Sequence, residues 1–88
     1  MNNSIMALIC LTDGEARAAA RVVYLNTKYT CQLISLATGT AIIIPGLKSK
    51  ESEEIFTSLF AGSIKAGYAK INKLKKRTSV VANIAVTA

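Results

Sequence analysis

The side chains of this sequence that could do chemistry are few. It has two cysteines, five carboxylates and a surplus of lysine and arginine, with no histidine in 88 residues. Cys10 and Cys31 could supply thiolate nucleophiles or soft metal ligands, but each needs partners that the chain lacks. Without histidine there is no Cys-His or Ser-His pair to activate a nucleophile. Two cysteines without C-x-x-C spacing do not make a Cys/His zinc site. The carboxylates Asp13, Glu15, Glu51, Glu53 and Glu54 fall in two clusters at the starts of expected helices, where capping and the helix dipole account for them. Neither G-x-G-x-x-G nor G-x-x-x-x-G-K-[ST] occurs, so no loop is built to cradle phosphates. These residues predict a protein that is not an enzyme and has no cofactor or bound metal.

Which elements carry these residues turns on Thr12-Asp13-Gly14-Glu15. Asp-Gly between apolar runs is a hairpin signal. Thr-x-x-Glu ahead of a helical run is a capping box, in which the Glu15 N–H donates to the Thr12 hydroxyl and the Thr12 N–H donates to the Glu15 carboxylate. The next residues favour the helix: Glu15 to Arg21 is alanine-rich, and alanine is the best helix former and is depleted in strands. Ala16, Ala19, Ala20 and Val23 fall at i, i+3, i+4 and i+7. A strand over Ser4 to Leu11 therefore leads into a helix over Asp13 to Asn26.

Tyr29 to Ala37 reads as a second strand, Thr38-Gly39 as a tight turn, and Thr40 to Ile44 as a third strand ended by Pro45-Gly46. Ser49 or Ser52 caps a long second helix running to about Lys75, its core stripe Phe56, Phe60, Ser63, Gly67, Ile71 and Leu74. Gly62 and Gly67 interrupt that helix at a cost of roughly 1 kcal/mol each. Thr78 to Thr87 alternates as a closing strand. The order β-α-β-β-α-β over a single domain of residues 1–88 predicts an α+β fold: a ferredoxin-like two-layer sandwich with an antiparallel sheet and both helices on one face. In that sheet the third strand separates the first from the second. Cys10 and Cys31 then lie about 9–10 Å apart, beyond disulfide reach, and are expected as buried thiols.

A formal charge of +6 fits a nucleic-acid partner or a helix whose ends match its dipole. Lys65, Lys70, Lys73, Lys75, Lys76 and Arg77 gather towards the expected helix's C-terminal end, and Glu51, Glu53 and Glu54 crowd its start. The strands that would be central carry no aromatic, so the stacking platform of an RNA-recognition domain is missing. Nucleic-acid binding would then rest on backbone electrostatics from Lys70, Lys73, Lys75, Lys76 and Arg77. The hairpin reading of Asp13-Gly14 favours this alternative, since it gives a ββββα order plus a final strand, which resembles small single-strand-binding folds. The longest apolar run, Ile5 to Leu11, is too short to span a membrane and lacks a basic n-region for a secretory signal. A cytoplasmic protein with no membrane partner is expected.

The apolar content points to assembly. Hydrophobic residues make up 51% of the chain, and every strand except the second is apolar on both faces. A two-layer sandwich leaves one sheet face bare, and an exposed apolar face implies an interface. Across nearly its whole length the sequence resembles a hexamer-forming bacterial microcompartment shell protein. Ala7-Leu8-Ile9-Cys10-Leu11-Thr12-Asp13 leading into Ala16–Ala20 is similar to that family's first strand and helix, with Thr12-Asp13 in place of Glu-Thr. Ala37-Thr38-Gly39-Thr40 stands where the family has its pore loop, Ala61-Gly62 matches an Ala-Gly step in its second helix, and Ser79 to Ile84 resembles its last strand.

The resemblance implies a homo-oligomeric, hexameric ring with Ala37, Thr38, Gly39 and Thr40 lining a central pore, Lys28 near the oligomer edge, and small anionic metabolites passing through. A small-molecule-binding regulatory module of the ACT type, working as a dimer, is the further alternative.

Overall fold

The computed structural model describes residues 4–75 and 80–84. Its elements are β1 (Ser4–Cys10), α1 (Asp13–Thr27), β2 (Cys31–Leu36), β3 (Gly39–Ile43), α2 (Ser49–Ala66), β4 (Ala69–Lys75) and β5 (Val80–Ile84). They form an α+β two-layer sandwich with one antiparallel sheet in the order β4-β1-β3-β2-β5. The first four positions have the ferredoxin-like order expected, but the place beside β1 is filled by Ala69–Lys75 and not by the expected closing strand Thr78–Thr87, of which residues 80–84 form β5 beyond β2 and the rest lies outside the described residues.

Helix α1 begins with the full capping box. The Glu15 N–H donates to Thr12 Oγ1 at 3.1 Å, and the Thr12 N–H donates to Glu15 Oε1 at 3.2 Å. The hairpin alternative for Asp13-Gly14 is thereby overturned, because each end of the box satisfies a backbone donor that a turn would leave to water. Asp13 also accepts from Arg17 Nε at 2.6 Å, one helical turn on. The helix ends one residue beyond Asn26, at Thr27, and Lys28 adopts the left-handed conformation (φ 66°) with its N–H donating to the Tyr24 carbonyl at 2.8 Å.

Helix α2 departs from expectation at both ends. Its N-cap is Lys48, not Ser49 or Ser52; the Lys48 N–H donates to Glu51 Oε1 at 3.2 Å. A lysine ammonium cannot accept in return, so only half of a capping box is present. Ser52 is instead buried within the helix. The helix stops at Ala66, and Gly67 at φ 83° is its left-handed cap: the Gly67 and Tyr68 N–H groups donate to the carbonyls of Ile64 and Ser63. Gly67 is thus a terminator, where the sequence pattern had it as a helix interruption. The stretch expected to continue the helix to Lys75 is β4, paired along its length with β1 from Ser4↔Lys75 to Cys10↔Ala69. Backbone pairing to a waiting edge outweighs the weak helical period of Ile71 and Leu74. Phe60 lies off helical geometry (φ −124°, ψ 19°), a kink just before Gly62-Ser63, where such bends are common.

Side chains from both sheet faces are buried. On the helix side, Leu8, Cys10, Cys31, Leu33, Ile42 and Ile44 meet Ala16, Ala19, Ala20 and Val23 of α1 and Phe56 and Phe60 of α2. On the opposite side, Ala7, Ile9, Ile34, Ala41 and Ile43 form a second buried cluster, with Ile5, Leu36 and Leu74 packed against it. That face was expected bare. It is at most 8% exposed at any of its five central residues, so it is a second core and not an assembly surface.

Both cysteines are buried and unpaired. Cys10 is registered with Thr40, and Thr40 with Ser35 four residues up the strand from Cys31. They are therefore separated along the strands as well as across them.

Candidate functional site

One concavity lies between the helices at the end of the sheet where β1 meets the α1 cap. It encloses about 380 Å³, floored by Leu8, Cys10 and Ala69, walled by Ala18, Ala19 and Val22 of α1 and Leu59, Phe60 and Ser63 of α2, with Glu15 and Tyr68 at its rim. A neighbouring hollow around Ile9, Leu11, Thr38 and Ile64 shares Tyr68 and Ala69 with it. The two are thus continuous through Tyr68, which the left-handed turn at Gly67 holds outward.

The carboxylate of this groove is already committed. The Glu15 carboxylate accepts from both the backbone N–H and the hydroxyl of Thr12. Burial, and secondarily the Glu15 charge, pushes the Cys10 thiol up to about 11. Burial alone pushes Cys31 up to about 12. Both therefore remain protonated, and a protonated thiol is a poor nucleophile. Among the described residues no group of His, Cys, Asp or Glu could hold a metal ion, and none of their helices is long and apolar enough to cross a membrane. What the groove offers is apolar area.

That area continues outside it. Leu11 and Tyr68 are each 58% exposed, Leu25 43% and Val22 37%. Ala18, Val22 and Leu25 fall at i, i+4 and i+7, a second apolar stripe on α1 beside its core stripe. This spacing was present in the sequence but is masked there by the alanines, which make nearly every face of the helix apolar.

The expected site residues are scattered. Ala37 and Thr38 form the exposed two-residue turn between β2 and β3. Gly39 pairs with Leu36, and any Cβ on it would meet the Cys10 carbonyl. Thr40 is buried on the helix-covered side between Cys10 and Ser35, so at the tip only Thr38 presents a hydroxyl to solvent. Lys28 is exposed, its Nζ 5.4 Å above the Tyr24 ring.

The described part of the basic cluster, Lys70, Lys73 and Lys75, is on a strand and not on a helix. Lys70 and Lys73 are exposed on the edge strand β4, where alternation sends them to opposite faces. Lys75 ends that strand, and Lys76 and Arg77 lie outside the described residues. The dipole explanation for these charges fails with the helix, leaving only Lys65 in its last turn. Lysines on β4 act as a guard against edge-to-edge pairing.

No family model, curated protein or solved structure matches the chain.

Proposed function

We propose that this chain is a non-catalytic, self-assembling structural subunit that acts in the cytoplasm by joining copies of itself into a closed ring. The observation that carries the reading is the exposed apolar strip Leu11–Tyr68–Val22–Leu25 along the groove between the helices. Contiguous apolar surface of this kind marks an association site, and closed symmetric assembly is the ordinary way for one chain to cover it. Two buried, unpaired thiols agree with a reducing compartment.

In the ring, the Ala37–Thr38 tips would converge on the axis, the pore narrowed to Thr38 hydroxyls and backbone groups, with Thr40 held back in the core. The net charge of +6 would favour small anions in the opening. This is the arrangement expected from the resemblance to microcompartment shell subunits, with Lys28 near the contact between neighbours.

Native mass from size-exclusion chromatography with light scattering at micromolar concentration tests it. A multiple of the 9.4 kDa chain is expected, with at least tenfold weaker association when Tyr68 and Val22 are both changed to Ser. A chain that remains monomeric would sink the reading.

A further inference from the structure

Glu15 is the only charged residue that lines the groove between the helices. The other polar side-chain groups there are the Ser63 hydroxyl, the Tyr68 phenol and the Cys10 thiol, and the remaining walls are apolar. At about 380 Å³ the cavity falls within the size range of small-ligand sites, roughly 300–1,000 Å³, which combine apolar walls with a few placed polar groups. Its floor is closed, with Leu8 and Cys10 both buried.

The commitment of Glu15 is one-sided. The Thr12 N–H and the Thr12 hydroxyl both reach Oε1, at 3.2 and 3.1 Å. Among the described residues Oε2 accepts no hydrogen bond and no cation pairs with it. Beyond burial, the Glu15 charge raises the Cys10 thiol, which places the carboxylate over the groove floor. The cations nearby are directed elsewhere. Arg17 is held by Asp13 at 2.6 Å. Lys70 is registered with Ile9 of the opposite cluster, so it projects from the sheet face away from the helices. On a chain of net charge +6, this groove is locally negative.

We propose that the groove is a binding site for a small primary amine with an apolar body, the ammonium donating to Glu15 Oε2 and the body lying on Leu8, Ala19 and Phe60. An ammonium on a carboxylate makes a charge-assisted hydrogen bond, and apolar walls make such a bond stronger than it is in water. An alcohol of the same shape gains the apolar contact without the charge, and a carboxylate is repelled by Glu15. The strip that joins copies is the exposed rim, Leu11, Val22, Leu25 and Tyr68, whereas the ligand takes the buried floor beneath it. Binding there needs no second copy, so the site does not rest on the self-assembly reading.

The test titrates hexylamine, hexanol and hexanoate into the isotope-labelled full-length chain near neutral pH, followed by amide chemical shifts. Hexylamine is expected to bind at least tenfold tighter than hexanol, and hexanoate more weakly than either, with the largest shifts at Ala18, Ala19 and Ser63. Glu15→Gln removes the charge and keeps the helix cap, since Gln serves equally at that position of a capping box. Amine and alcohol are then expected to bind alike. Ala18→Phe places a ring in the groove and should weaken all three ligands, with circular dichroism melting to show that both variants fold. The proposal is overturned by equal affinity of the wild-type chain for amine and alcohol. A preference for the amine that survives Glu15→Gln, or amine binding that Ala18→Phe leaves unchanged, overturns it as well. A monomeric chain that gives the expected ligand series sinks the self-assembly reading alone.

Discussion

The two β-α-β halves of the molecule make the same passage over the sheet with opposite materials. In β1-α1-β2 the helix meets the sheet through Ala16, Ala19, Ala20 and Val23, and both flanking strands contribute a buried cysteine. In β3-α2-β4 the contact is made by Phe56 and Phe60. Small residues allow close backbone approach, while aromatics fill a wider gap. The helix ends differ in the same way. Helix α1 starts with a reciprocal Thr12–Glu15 box and ends on a left-handed lysine; α2 starts with Glu51 alone and ends on a left-handed glycine. One topology is thus reached by two chemistries, each with its own point of failure.

The largest expected difference lies in the two helix faces. Phe56→Ala empties the wider gap and should cost about 3–5 kcal/mol. Ala20→Leu overfills the narrow one, at about 1–3 kcal/mol. Urea unfolding followed by circular dichroism measures both. If Phe56→Ala proved the milder change, the contrast between the halves would be misplaced.

The second difference appears in alkali. Among the described residues, both titrating core groups, Cys10 and Cys31, belong to the first half. Their native pKa values are raised from 9.0 to about 11 and about 12. A raised native pKa gives stability that is complete while both states are protonated and is lost once the unfolded thiol ionises first. Stability should therefore be flat from pH 7 to 8 and decline from about pH 9 towards 11–12. A Cys10→Ala, Cys31→Ala pair should remove most of that slope, as read from melting temperature against pH.

Smaller effects sit at the helix starts. Thr12→Ala removes an acceptor that serves the Glu15 N–H and should cost about 1 kcal/mol. Glu51→Ala removes a single bond to the Lys48 N–H and should cost about half as much. Equal costs, in thermal unfolding, would mean that the reciprocal box adds nothing over the one-sided one.

Effects of similar size are expected at the helix ends. Lys28→Gly relieves a left-handed residue but loses the contact with Tyr24, for a net gain of about 0.5 kcal/mol. Gly67→Ala meets no neighbouring atom and should lose about 1 kcal/mol from its φ alone. If Lys28→Gly instead lowers the native mass, Lys28 belongs to a contact between copies.

The first half was legible because its signals are local. Thr12 and Glu15 are three residues apart, the alanine run is continuous, and the core stripe of α1 follows one period. The hairpin between Leu36 and Gly39 was legible for the same reason. The second half was legible only to Gly67. There Phe56, Phe60, Ser63, Gly67, Ile71 and Leu74 fit a helix as well as Ala69 to Lys75 fits a strand, and the deciding partner, β1, lies 59 to 71 residues away in sequence, from Cys10↔Ala69 to Ser4↔Lys75. The candidate site suffered similarly. Of the residues chosen for polarity, Thr40 went to the core and Lys70, Lys73 and Lys75 to an edge strand, and the exposed Leu11 and Tyr68 carried no sequence mark.

The sequence by itself determined the element types up to Ala66, the start of α1, the buried unpaired cysteines and the hairpin after the second strand, whose turn falls at Ala37-Thr38, one residue before the expected Thr38-Gly39. Each depends on residue identity or on neighbours within one or two turns. Only the tertiary structure decided that β4 replaces the end of the second helix, that β5 lies at the far edge beside β2, and that the sheet's second face is buried. Those outcomes depend on which distant backbone offers unpaired hydrogen-bonding groups, and that is not encoded in a local pattern.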